Sequence, residues 1–105
     1  MGRYIVKLTD DGNEWLLEWS TVVDAPVTRG MSRADFQAYI GREYGSQGLR
    51  ELPERLARVD ATGTSALDVP DVDSVISCNR AGPNETRLTR KQLIEAYCTT
   101  PDHVT

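Results

Sequence analysis

The sequence predicts an α+β fold: a small antiparallel sheet, made of an N-terminal hairpin plus a later strand, packed by about three helices in the order β-β-α-α-β-α. Three observations carry that expectation. Residues 3–20 alternate apolar and polar side chains around Asp11-Gly12, a preferred type I′ hairpin turn. Two later segments, Met31-Ser32-Arg33-Ala34-Asp35-Phe36 and Leu88-Thr89-Arg90-Lys91-Gln92-Leu93, open with matching helix-start patterns. The chain has 105 residues, of which 39% are apolar and 27% charged, enough for one hydrophobic core. It reads as a single domain over 1–99 with a flexible tail over 100–105.

The hairpin comes with its register. If Asp11-Gly12 forms the loop, Asp10 faces Asn13, and the pairs Leu8–Trp15, Val6–Leu17 and Tyr4–Trp19 share one face. Arg3, Ile5, Lys7 and Thr9 lie on the other, against Ser20, Glu18, Leu16 and Glu14. A one-residue slip would turn one strand's apolar set the wrong way, so turn chemistry and pattern agree. The tryptophan face is expected to be the floor on which Phe36, Leu56 and Leu93 pack. Val22-Val23 extend the second strand until Pro26, which cannot supply a ladder donor.

Ser32 then caps a helix, with Asp35 reaching back and Met31 packing on Phe36. Phe36, Tyr39, Ile40 and Tyr44 form its apolar stripe, and Gly45 is a natural stop. A second helix carries the seam Leu49, Leu52, Leu56 and Val59, with Glu51–Arg55 and Glu54–Arg58 as i,i+4 pairs. Pro53 suits a first helical position, which predicts a turn or 3₁₀ segment over 48–52, a regular helix from Pro53 to Ala61, and a stop at Gly63. Residues 64–73 read as a loop. Residues 72–79 are the later strand, 81–84 a turn and 86–88 a short extended segment. The last helix turns Leu93, Ile94, Ala96 and Tyr97 inward and ends at Pro101.

Composition narrows the function. A net charge of −4 argues against a protein built mainly to grip phosphate backbones. No charged-then-apolar leader is visible and the apolar runs are too short to span a bilayer, so the expectation is a cytoplasmic protein without a membrane partner. Cys78, Cys98 and the single histidine, His103, lack metal-ligand spacing, and the two cysteines read as small buried thiols. Asp10 to Glu14 looks superficially like a calcium loop but lacks its distal glutamate and serves as the hairpin turn. There is no G-x-S-x-G elbow, phosphate loop or H-E-x-x-H. No catalytic residue, metal site or cofactor is assigned.

Two surfaces remain for a protein partner or a second copy of the chain. One is the outer hairpin face, where Ile5 and Leu16 interrupt Lys7 and Glu18, beside an open sheet edge. The other is Arg87, Arg90 and Lys91 at the start of the last helix. Arg33 and Arg90, each in a first helical turn, are anion-binding candidates. The leading expectation is a non-enzymatic interaction protein. A nucleic-acid-associated regulator using the basic segment 80–91, Arg80 included, is the alternative. The third reading is a small enzyme with an unrecognised acid/base site, which a closed pocket lined by two convergent carboxylates or tyrosines would favour. Trp15 and Trp19 are assigned to the core rather than to a stacking platform.

Ten of the twelve basic residues are arginine. Together with that skew, the segment Trp19-Ser20-Thr21-Val22-Val23-Asp24-Ala25-Pro26-Val27-Thr28 and the later Asn79-Arg80-Ala81-Gly82-Pro83 resemble the small accessory proteins encoded by actinobacterial phages, mycobacteriophages in particular. The resemblance implies expression in a host cytoplasm and action by binding a host or phage protein. It carries over no site residue.

Overall fold

The computed structural model describes residues 3–98. The expected tail over 100–105, with Pro101 and His103, lies outside the described residues. Strands β1 (Arg3–Asp10) and β2 (Asn13–Ser20) pair antiparallel in the expected register, from Arg3↔Ser20 to Asp10↔Asn13. Asp11 and Gly12 both take positive φ, 52° and 81°, as a type I′ turn requires.

The third strand is not the expected one. The Ser20 hydroxyl accepts from the backbone N–H of Val22 (3.2 Å) and Val23 (3.4 Å), and Asp24 adopts φ 55°. The chain therefore turns at residues 21–24 instead of extending β2. β3 (Ala25–Pro26) comes back antiparallel beside Trp19 and Ser20, with Pro26 on the sheet's edge, where its missing donor is tolerated.

Helix α1 (Arg33–Thr62) follows, capped by the Ser32 hydroxyl, which accepts from the Asp35 N–H at 3.1 Å. Gly45 breaks it with φ 68°, ψ −158°, a conformation that only glycine adopts readily. The helix resumes at once and carries Pro53 in its interior, so the turn expected over 48–52 does not form. Gly63 ends it with φ 90°, as expected. Residues 72–79 are not a strand: α2 (Val72–Ser77) is a helix, with the Asp71 carboxylate accepting from Ser74 N–H at 3.1 Å. Val72, Val75 and Ile76, spaced three and four apart, face the core.

A 3₁₀ turn (Pro83–Glu85) and α3 (Arg90–Leu93) come next, and α3 runs on into a π-helical turn, Ile94–Cys98. Thr89 and Gln92 form the full capping box. Buried Asn79 shapes the intervening loop: its amide donates to Ile76 O (2.6 Å) and Leu88 O (2.8 Å), and its Oδ1 accepts from Ala81 and Leu88.

The sheet is the middle of three layers. Val6, Leu8, Leu17 and Trp19 pack against α2, α3 and the π turn through Val72, Val75, Ile76, Leu93, Ile94 and Cys98. On the opposite face Ile5 and Leu16 pack under α1, against Phe36, Ile40, Leu52, Val59 and, at the margin, Leu56. Phe36 and Leu56 therefore miss the tryptophan floor, and only Leu93 reaches it. Cys98 is buried, which pushes its thiol up to about 11, whereas Cys78 is exposed rather than buried.

Candidate functional site

Most of the surfaces named from sequence are spent on the fold. Ile5 (0% exposed), Leu16 (2%) and Glu18 (1%) lie beneath α1 and are not an outer face. Lys7 is held near Glu14 (3.9 Å) and Asp60 (3.6 Å). Stretches of the sheet's flanks are covered as well. Gly63 to Ser65 run along β1, with Lys7 N–H donating to Gly63 O (2.8 Å) and Ser65 N–H to Ile5 O (2.9 Å). Met31 exchanges both backbone hydrogen bonds with Leu16 on the β2 side, next to β3. Along the middle of β1 and at Leu16 the backbone groups expected to be open for strand addition are therefore already paired.

The basic candidates are largely neutralised from within. Arg33 bonds Asp60 at 2.8 Å and approaches Glu14 at 3.9 Å; the Arg33 hydrogen bond holds the Asp60 carboxyl below its ordinary value. Arg90 pairs with Asp73, and Arg80 with Asp24 and Glu85, both at 3.3 Å. Arg87 donates to Ser77 O at 3.4 Å, and Lys91 lines a separate groove with Thr9, Asp10, Arg90 and Ile94. These contacts do not gather into one basic stripe.

The polar cluster that does assemble is centred on Glu18. Its cross-strand partner is Ile5, so Arg3 sits diagonally opposite, within reach of a long side chain. Arg3 Nη1 donates to Glu18 Oε1 at 3.2 Å. The hydroxyl of Tyr39 donates to Oε1 and that of Tyr44 to Oε2. Tyr39 comes from the first half of α1, and Tyr44 is the last residue before the Gly45 break. Burial, and after it the Glu18 carboxylate, raises both tyrosines above the ordinary 10.0. They stay protonated at neutral pH and donate their hydrogen bonds to the carboxylate.

Two grooves open beside this cluster. One, of about 340 Å³, is lined by Arg3, Glu18, Tyr44, Gln47, Gly48, Glu51 and Arg55. The other, of about 410 Å³, is lined by Arg3, Tyr4, Thr21, Arg55, Arg58 and the segment Ser65–Asp68. They share Arg3 and Arg55. No family model, no characterised protein and no solved structure matches the chain. The site is therefore read from its own chemistry.

That chemistry lies at the sheet end remote from the hairpin turn. Arginines line the grooves; exposed Leu67 (81%) stands on the wall of the larger one, and Val22 (77%) and Val23 (53%), which follow Thr21 of that wall along the chain, line a separate groove with Arg80 and Glu85. Among the described residues no group of acidic, histidine or cysteine side chains could hold a metal ion. Among the same residues no helix is long and apolar enough to cross a membrane. Sequence reasoning named Glu18 but missed Arg3, Tyr39, Tyr44, Arg55 and Leu67 as members of a site. The available signal was a glutamate on the same strand face as Ile5 and Leu16, facing a helix stripe that ends in hydroxyls.

Proposed function

We propose that this is a non-enzymatic binding protein whose partner is another protein, docking on the sheet end formed by the 21–24 turn, the Leu67 loop and the two grooves. The observation that carries this reading is the exposed Leu67 on the wall of the groove that bears Arg3, Arg55 and Arg58, with exposed Val22 next along the chain from Thr21 of the same wall. Apolar anchors beside arginines are the composition that recognition surfaces favour. Binding is preferred to catalysis because the Glu18 oxygens are engaged and the tyrosines beside them are held protonated.

Leu67→Glu and Val22→Glu test it, since both side chains are exposed and neither substitution should disturb the fold. A tagged chain is used to capture partners from an actinobacterial lysate, with the Lys91→Glu variant as a control for general charge effects. The expected result is a partner held by the wild type and by Lys91→Glu but lost from both apolar-site variants. Capture that is unchanged in Leu67→Glu and Val22→Glu would overturn the proposed surface.

A further inference from the structure

We infer that the junction of the two grooves is an anion site, in which a carboxylate or phosphate group of the partner lodges between the guanidiniums of Arg3 and Arg55. The inference rests on the docking reading above and adds the chemistry of what docks. Arg3 and Arg55 are the two residues that line both grooves, so a group seated between them is reachable from either side. Among the described residues, the contacts of Arg3 to Glu18 (3.2 Å) and Tyr44 (3.4 Å) are both made through Nη1. One edge of its guanidinium thus remains for a second acceptor. Arg58 closes the far wall, fixed by its Nε bond to Ser65 O at 3.0 Å.

Arg55 makes the stronger case. Glu51 stands four residues earlier on the same helix, the favourable orientation for an ion pair. It accepts instead from Gln47 Nε2 at 2.7 Å, and Arg55 has no hydrogen bond or ion pair among the described residues. Of the other acids at the grooves, Asp68 accepts from the Tyr4 hydroxyl at 3.0 Å, and Glu18, ion-paired with Arg3, has its remaining acceptor positions filled by Tyr39 and Tyr44. Guanidinium forks match planar carboxylates and phosphate oxygens with paired hydrogen bonds, which a lysine could not reproduce.

The test uses small anions, so it does not depend on capturing a partner. The full chain, labelled with ¹⁵N, is titrated with glutarate in one arm and inorganic phosphate in another, at constant ionic strength in chloride. Arginine Nε–Hε signals are followed. Saturable shifts are expected at Arg3 and Arg55, with affinity weakened roughly tenfold in Arg55→Gln and unchanged in Lys91→Gln. A response to glutarate assigns the site to acidic side chains, and one to phosphate alone assigns it to a phosphorylated partner. Absence of saturable shifts at both arginines, or equal affinity in Arg55→Gln, overturns the anion site. Such a failure would leave the Leu67 and Val22 capture result standing, and loss of that result would leave these titrations interpretable.

Discussion

Glu18 is the residue on which the most depends. A carboxylate that is 1% exposed is tolerated because both of its oxygens accept hydrogen bonds, one from Tyr44 and the other from Tyr39 and Arg3. Removing the acceptor leaves the half-buried Tyr39 hydroxyl and the Arg3 guanidinium without their partner, so Glu18→Ala is expected to cost about 3 kcal/mol in urea denaturation, against about 2 for Tyr39→Phe. The pH dependence has a definite sign. Tyr39 is raised in the folded state above the ordinary 10.0, so the folded chain holds its proton more tightly than the unfolded chain does. Its contribution is complete below pH 10 and falls as pH climbs above it. The stability gap between wild type and Tyr39→Phe should therefore narrow in alkali; a gap that widens above pH 10 would contradict the assignment. Register alone placed Glu18 and Arg3 on one face. It could not place Tyr39 and Tyr44 there, because their reach depends on which face of the sheet α1 covers.

At the scale of elements, the decisive feature is the interruption of α1. Gly45, at φ 68° and ψ −158°, lies where a Cβ is strained, at a cost of about 1–3 kcal/mol. Gly41, one turn earlier, has no such φ, and an added Cβ would meet Leu49 Cδ1 at 3.4 Å, an ordinary contact. Gly41→Ala should therefore be neutral or stabilise by about 0.5–1 kcal/mol, while Gly45→Ala lowers the urea midpoint. Loss of stability in Gly41→Ala with none in Gly45→Ala would refute this account of the break. The stop at Gly45 was legible from sequence, as were the Ser32 and Thr89 caps, because each is written in local chemistry. α2 was misread as a strand because Val72, Val75, Ile76 and Cys78 suit a strand by residue type. The Asp71 cap with Ser74 three residues on, followed by three-and-four spacing, was the signal that overrode it. The interior Pro53 was misplaced for the converse reason. Its lost hydrogen bond is a local cost, and it is offset by burying Leu52 and Val59 against the sheet, which local rules do not register.

For the molecule as a whole, one hairpin serves as the wall of two cores. Sequence showed Ile5 and Leu16 interrupting the polar face, and that mixture was read as a docking surface when it was the seat of α1. The pattern within a strand records that a side is apolar, but which helix covers it is a long-range fact. The consequence can be tested. Phe36 and Leu93 are each 0% exposed, on opposite sides of the same sheet. Phe36→Ala should cost about 3–5 kcal/mol and Leu93→Ala about 2–5, against the roughly 5–15 that an ordinary domain has to lose. Since β1 and β2 contribute side chains to both layers, neither layer can melt while leaving the other its wall. Far-UV circular dichroism, which follows the helices, and tryptophan fluorescence, which follows the α2 side, should then trace one coincident transition in either variant. In Phe36→Ala, helix loss on the α1 side that precedes any change around Trp19 would show instead that the two cores are held by separate sets of contacts.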